Sequence, residues 1–125
     1  MNVKKVLAAA AVLLVVVGSS TAHAGKRLTT GPSGISDLVE CTLVNVSESK
    51  TLTVSIVIRN AAGAVTTQFP NISVPPLNRR GLTSIGAHQW CEFVVESGGS
   101  AKDLRASMVV YDGGVIAASD QAREK

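Results

Sequence analysis

Two short apolar runs, 38–46 and 90–96, carry the chain's only two cysteines and constrain its fold more than any other feature. Each cysteine alternates with apolar residues, and alternate residues of an extended strand lie on one face. These shared faces are Val39, Cys41 and Leu43 in the first run, and Cys91, Phe93 and Val95 in the second. We therefore expect two facing strands whose inward sides form the middle of the core.

The first 24 residues have the organisation of a secretory signal peptide. Lys4 and Lys5 precede an uncharged apolar run over 6–17, and small residues follow it. A membrane-spanning helix needs about 20 residues, so an uncleaved anchor is the weaker interpretation. Ala22 and Ala24 supply the small side chains that a signal peptidase accepts, which predicts cleavage before Gly25 and export to the periplasm or the cell exterior.

Cleavage would leave 101 of the 125 residues, enough for one domain with a modest core. The formal charge would fall from +3 to +1, because Lys4 and Lys5 leave with the signal. Nucleic-acid binding depends on clustered cations that neutralise phosphates, so a net charge close to zero argues against a nucleic-acid partner. No membrane partner is expected once the signal is removed.

Export to an oxidising compartment favours a disulfide between Cys41 and Cys91. In the chain-entropy account, closing a loop of this length stabilises the fold by about 4 kcal/mol. The alternative is a pair of free thiols in a redox or metal site, but the C-x-x-C spacing typical of such sites is missing.

The chain after the signal predicts strands separated by turns, with no amphipathic helix of useful length. Glycine, proline and hydroxyl residues over 25–36 predict a loose arm, 37–119 the folded domain, and 120–125 a polar tail. Pro70 removes a backbone donor, which predicts an edge or bulged strand there. Asp112, Gly113 and Gly114 predict a hairpin turn. The seven expected strands are 38–46, 51–59, 65–74, 82–85, 90–96, 104–111 and 115–118.

Seven short strands in about 80 residues are typical of an antiparallel β-sandwich. Facing cysteines in the first and fifth strands suit a bridge between the sheets or between neighbouring strands. Alternation also predicts further inward residues, namely Leu52, Val54, Ile56, Ile58, Leu104, Ala106, Met108 and Val110. Aromatic residues contribute little to this core, with Phe93 and Phe69 the only candidates.

Four segments together resemble a loose group of small exported bacterial proteins, mostly uncharacterised: 41–47 (CTLVNVS), 59–63 (RNAAG), 90–93 (WCEF) and 105–114. The resemblance implies an immunoglobulin-like, adhesion-type β-sandwich outside the cytoplasm. Gln89 occupies the position of the usual immunoglobulin tyrosine, and Trp90 abuts the second cysteine instead of lying between the two cysteines. The resemblance therefore implies the sandwich architecture and no activity.

Candidate catalytic and metal-binding residues are sparse. After cleavage His88 is the only histidine, and a blue-copper site needs two. Asp103, Asp112 and Asp120 lack calcium-loop spacing. Ser84 lies near His88, but no nucleophile-elbow motif accompanies it. We expect no metal, no cofactor and no enzymatic activity.

The leading hypothesis is a non-catalytic binding module for a protein, glycan or cell-surface component. Trp90 and Tyr111 are expected to face away from the core, and Trp and Tyr are favoured at binding hot spots. With Arg79 and Arg80 they form the predicted interaction patch, although Trp90 as a cover for the disulfide or a sheet edge is the simpler interpretation. The alternative function is a small hydrolase or inhibitor-like effector acting through loop 77–88.

Overall fold

The computed structural model describes residues 26–34 and 38–124 as an all-β fold of two antiparallel sheets. The predicted signal peptide, its cleavage site and residues 35–37 of the predicted arm and domain start lie outside the described residues. The nine strands are β1 (Arg27–Thr29), β2 (Leu38–Asn45), β3 (Leu52–Arg59), β4 (Val65–Val74), β5 (Arg79–Ile85), β6 (Trp90–Ser97), β7 (Leu104–Asp112), β8 (Val115–Gln121) and β9 (Arg123–Glu124). A 3-10 turn, Ala101–Asp103, precedes β7.

The first sheet has the strand order β4-β3-β6-β1-β9, and the second has the order β5-β2-β7-β8. Five strands therefore face four across the core. Strand β4 is an edge, and its pairing with β3 shifts register twice, which confirms the prediction made from Pro70. The hairpin predicted at Asp112 joins β7 to β8, with positive φ at Gly113 and Gly114.

The alternation of apolar residues produces the core as predicted. Every residue on the predicted inward faces is buried, from Val39, Cys41 and Leu43 on β2 to Val110 on β7. Phe93 is fully buried, whereas Phe69 is 43% exposed because it lies on the edge strand β4. The aliphatic side chains therefore fill the space between the sheets, with Phe93 as the aromatic contribution.

The disulfide joins Cys41 on β2 to Cys91 on β6, with Cα atoms 5.9 Å apart. These strands belong to different sheets, so the bond connects the two layers through the core. Both cysteines are completely buried. Of the two arrangements left open by the sequence, the structure has the bridge between sheets, and the free-thiol alternative is wrong.

The sheets extend beyond the boundaries expected from the sequence. Within the predicted arm, β1 pairs with β6 through Leu28 and Phe93, and within the predicted tail, β9 pairs with β1. Strand β5 begins at Arg79, inside the predicted loop, because Arg79 pairs with Val44 on β2. These segments are too short or too polar to show an alternating pattern, and backbone pairing with a neighbouring strand holds them in place. Seven predicted strands thus become nine.

Candidate binding groove beside Trp90

The segment 30–34 runs alongside the start of β6 and meets the β5–β6 connection, 86–89, at one end of the sandwich. Ser33 donates its backbone N–H to the Gln89 carbonyl oxygen at 2.7 Å, and the Gln89 N–H donates to Ser33 Oγ at 2.9 Å. The His88 N–H donates to the Gly34 carbonyl oxygen at 3.0 Å, and His88 has a positive φ of 56°. These contacts fix the backbone on both sides of the connection.

Gln89 is 2% exposed and is the centre of a partly buried polar cluster. Its Oε1 accepts hydrogen bonds from Ser84 Oγ at 2.7 Å and Thr66 Oγ1 at 3.0 Å, and its Nε2 donates to the Gly86 carbonyl oxygen at 3.0 Å. Thr66 lies on β4 and Ser84 on β5, the adjacent edges of opposite sheets. One side chain thereby connects both sheet edges and holds the loop that carries His88. The sequence shows only that Gln89 stands where an immunoglobulin domain has tyrosine, because its partners lie far apart along the chain.

A groove of about 530 Å³ lies where these segments meet. Its walls are largely apolar, and its lining residues are Thr29, Thr30, Pro32, Ser33, Ala61, His88 and Trp90. Trp90 is half-buried and His88 is exposed. The groove therefore brings together the aromatic residue of the predicted patch and the histidine of the alternative hypothesis.

Arg59 on β3 lies over the indole of Trp90 and is itself held by neighbouring groups. The Arg59 guanidinium carbon lies 5.9 Å from the centroid of the Trp90 ring, a cation–π distance. Arg59 also donates to the Gly63 carbonyl oxygen at 2.9 Å and pairs with Glu92 at 3.4 Å. Arg27 approaches Glu92 from the other flank at 3.6 Å. Glu92 lies on the predicted outer face, yet is only 6% exposed because these two guanidinium groups cover it.

Most hydroxyl groups around the groove are engaged within the protein. Thr30 Oγ1 donates to the Gly31 carbonyl oxygen and accepts from the Cys91 N–H, both at 3.0 Å. Ser33 Oγ accepts from Gln89. Within residues 26–34 and 38–124, no side-chain hydrogen bond engages the His88 imidazole or the Thr29 hydroxyl. These two groups are therefore the polar side chains in the groove that can contact a ligand without breaking an internal bond.

The other residues of the predicted patch lie elsewhere. Tyr111 is on β7 of the second sheet, where it pairs with Leu38 toward the end of the sandwich that also carries Trp90. Arg79 and Arg80 lie at the opposite end of β5, and Arg79 pairs with Glu40 at 3.6 Å. The structure does not combine the four residues into one surface, because alternation and sheet membership separate them.

The alternative hypothesis of a hydrolase places Ser84 beside His88. In the structure the Ser84 hydroxyl donates to the amide oxygen of Gln89 at 2.7 Å, which is not a general base. Most of the segment 77–88, predicted as a loop, is strand β5. The Ser84 proton is thus bonded to Gln89, and Ser84 is not among the residues that line the groove.

The described residues show two further negative findings. In the ranges 26–34 and 38–124 no group of three His, Cys, Asp or Glu side chains is placed to hold a metal ion. Over the same ranges no helix has the length and apolarity needed to cross a bilayer.

Comparison with known proteins identifies the fold but no family. No protein-family model matches the sequence, and no curated protein matches it. The crystal structure of Thermotoga maritima 1070 superposes with a TM-score of 0.54 at 5% identity, covering 81% of this chain and 95% of that one. At this identity the likeness shows the fold alone, and it supports the β-sandwich.

Two weaker structural similarities are to the lectin binding domain of a lectinolysin mutant complexed with Lewis b and to FlgD from P. aeruginosa. The first has a TM-score of 0.41 at 11% identity and covers 74% of this chain and 60% of that one. The second has a TM-score of 0.33 at 11% identity and covers 80% and 73%. Neither superposition is close enough to carry an argument about this chain.

Proposed function

We propose that this protein is an exported, non-catalytic β-sandwich module that binds a protein, glycan or cell-surface component in the groove beside Trp90. The observation that supports the proposal is the concave surface itself, which is lined by the Trp90 indole, Pro32 and Ala61 together with His88. Binding sites are usually concave and mostly apolar, with a few polar groups that orient the ligand. Tryptophan is enriched among residues that dominate binding energy.

An exported compartment is supported by the predicted signal peptide together with the disulfide. A buried Cys41–Cys91 bridge forms and persists in the periplasm or outside the cell, where the environment is oxidising. The two sheets, joined through the core by this bridge, also support the resemblance to immunoglobulin-like, adhesion-type domains. The strand count of nine exceeds the seven of a constant-type immunoglobulin domain.

A non-catalytic role is supported by the hydrogen bonding of Ser84, the candidate nucleophile. Ser84 donates to Gln89, and the groove contains the imidazole without a hydroxyl that is hydrogen-bonded to it. Nucleophilic catalysis needs the nucleophile and its base within hydrogen-bond reach. The arrangement suits recognition, in which the imidazole and the Thr29 hydroxyl orient a ligand against the indole.

Binding can be measured directly because Trp90 is the only tryptophan of the chain. Its fluorescence reports on the groove while glycans, which do not emit in this range, are added, and calorimetry serves for proteins of the envelope fraction. We expect a saturable change with at least one of these ligands, and loss of at least about tenfold in affinity for Trp90→Ala, measured by calorimetry. His88→Ala should weaken binding by a smaller factor.

Leu77→Ala is the matched control, because Leu77 is 65% exposed on a turn outside the groove. It should bind as the wild type does. Equal affinity of the wild type and Trp90→Ala for every ligand would exclude the groove as the binding site. Turnover in a panel of hydrolase substrates that His88→Ala abolishes would instead favour the enzyme hypothesis.

A further inference from the structure

Strand β8 is unusual because neither of its faces is covered. Every one of its residues except Asp120 is exposed, although the strand begins with four apolar residues, 115–118. Val115 is 68% exposed and Ile116 is 63% exposed. Solvent-facing apolar residues scattered singly are ordinary, but a run of four exposed apolar residues at a sheet edge marks an interaction site.

The four sheet edges differ in how they are protected. Strand β4 contains Pro70 and two register shifts, and β9 has only two residues. Strand β5 begins with two arginines, and its Ser84 is bonded to Gln89 together with Thr66 of β4. Prolines, bulges, cations and short length are the devices that keep edges from pairing. These three edges each carry at least one of them.

Strand β8 has seven residues and contains no proline, lysine or arginine. It carries one of these devices, a bulge against β7 in which Ala117 is the extra residue. Its one charged residue, Asp120, accepts a hydrogen bond from the Gly31 N–H at 2.7 Å and is therefore used within the molecule. Among the four edges of the described sheets, β8 alone has neither a proline nor a cation, and it is therefore the least protected.

An apolar row on the outer face of the second sheet leads to this edge. Tyr111 is paired with Leu38 on one side and with Ile116 of β8 on the other, and Leu38 is paired with Ile85 of β5. Directly opposed residues share a face, so the four side chains form one row across the sheet. Ile85 is 85% exposed at the far end of the row.

We propose that β8 is a self-association edge, at which β8 of a second copy pairs with it antiparallel across a twofold axis. The stretch 115–119 offers no charge for a partner to pair with, so an uncharged and mainly apolar strand complements it. The chain itself presents such a strand at its surface. The twofold pairing fills both open edges at once, so it closes as a dimer and does not propagate. The four-stranded sheets of two copies become one eight-stranded sheet.

Analytical ultracentrifugation of the purified protein, from about 1 µM to about 1 mM, tests the proposal. We expect the mass to rise from one chain to two with concentration. Ile116→Lys places a cation in the edge strand of each copy, and the two cations would be brought close together in the dimer. The variant should therefore weaken dimerisation at least about tenfold. Leu77→Lys adds the same charge at a position of similar exposure, 65%, and should dimerise as the wild type does.

Hydrogen exchange identifies the surface involved. Amides of Val115–Gln121 should exchange more slowly at high than at low concentration, whereas those of β4 should not change. A wild type that stays monomeric up to about 1 mM overturns the proposal. A dimer that Ile116→Lys leaves intact, or one without added protection on β8, overturns it as well, because the interface then lies elsewhere.

Discussion

Ser33 and Gln89 exchange two hydrogen bonds, one in each direction, between the amino-terminal segment and the start of β6. The Ser33 N–H donates to the Gln89 carbonyl at 2.7 Å, and Ser33 Oγ accepts the Gln89 N–H at 2.9 Å. The side chain of the same glutamine binds the edges of both sheets through Ser84 and Thr66. Gln89 therefore fixes the backbone beside the groove and also links the two sheets at this end of the sandwich.

Gln89→Ala should lower the free energy of unfolding by about 1–3 kcal/mol, because the Ser84 hydroxyl loses its acceptor, the Thr66 hydroxyl keeps only the Ile58 carbonyl oxygen, and the Gly86 carbonyl oxygen loses its donor. Urea unfolding followed by Trp90 fluorescence measures the change. Gln68→Ala is the matched control, since Gln68 is exposed on β4, and it should stay within about 0.5 kcal/mol of the wild type. Equal losses in the two variants would contradict the role assigned to Gln89.

The disulfide provides a second stability prediction. Replacing Cys41 and Cys91 together by alanine should cost about 2–5 kcal/mol, because the unfolded chain is no longer constrained by the 50-residue separation. The comparison is made by urea unfolding of the double variant and of the wild type with and without reductant. A double variant as stable as the oxidised wild type would show that the core alone, without the bridge, holds the sheets together.

The inward faces could be predicted from the sequence because a period of two reports burial on one side of a strand. That signal placed Val54, Phe93 and Met108 in the core, where the structure has them. It fails for β1, whose three residues contain one apolar side chain, Leu28, and for β9, which has two charged residues. Such strands exist through backbone pairing with a neighbour, and no side-chain pattern records that pairing.

The candidate site could be predicted only in part. An unburied Trp90 was expected from its alternation with Cys91, but its groove depends on residues distant in sequence, Pro32 and Ala61. The sequence also does not predict which polar residues are buried, because their hydrogen-bond partners are distant along the chain. Asn45, for example, is completely buried because its Nδ2 donates to the Lys50 and Val74 carbonyl oxygens at 2.7 and 3.0 Å. From the sequence alone, a polar residue in a strand is predicted to be exposed, because its hydrogen-bond partners are not visible there.

Acid should weaken one specific turn, at Ser100 and Asp103. The hydrogen bond from the Ser100 backbone N–H to Asp103 Oδ2, at 3.0 Å, lowers the pKa of Asp103 below its ordinary value, and the charge of Lys50 at 3.5 Å adds to this effect. A lowered carboxyl pKa in the folded state stabilises the protein above the ordinary value of about 3.9, and the contribution is lost as the pH falls through the folded pKa.

Asp103→Asn should therefore be less stable than the wild type near neutral pH, and the difference should shrink below about pH 4. Urea unfolding across this range measures it. Lys50→Met should keep most of the pH dependence, because the hydrogen bond from Ser100 is the larger cause. A difference between Asp103→Asn and wild type that stays constant with pH would mean that the carboxylate charge is not the stabilising feature.

Gly63 and Gly98 have nearly equal φ values but different surroundings. Alanine variants at the two positions therefore distinguish the effect of a steric clash from that of backbone strain. Gly98 has a φ of 92° and Gly63 a φ of 85°, so alanine at either position pays the same cost of a left-handed conformation, about 1 kcal/mol. A Cβ on Gly98 would also collide with the Thr51 carbonyl oxygen and lie 3.2 Å from the Leu52 Cα, whereas one on Gly63 meets nothing within 4 Å.

Gly98→Ala should therefore lower the free energy of unfolding by at least about 2 kcal/mol more than Gly63→Ala, because backbone atoms must shift to admit the methyl group. Urea unfolding of the two variants and the wild type gives the difference directly. Similar losses in both variants would mean that the turn after β6 moves freely away from Thr51. A large loss confined to Gly98→Ala would establish that the close approach of this turn to the start of β3 is required by the fold.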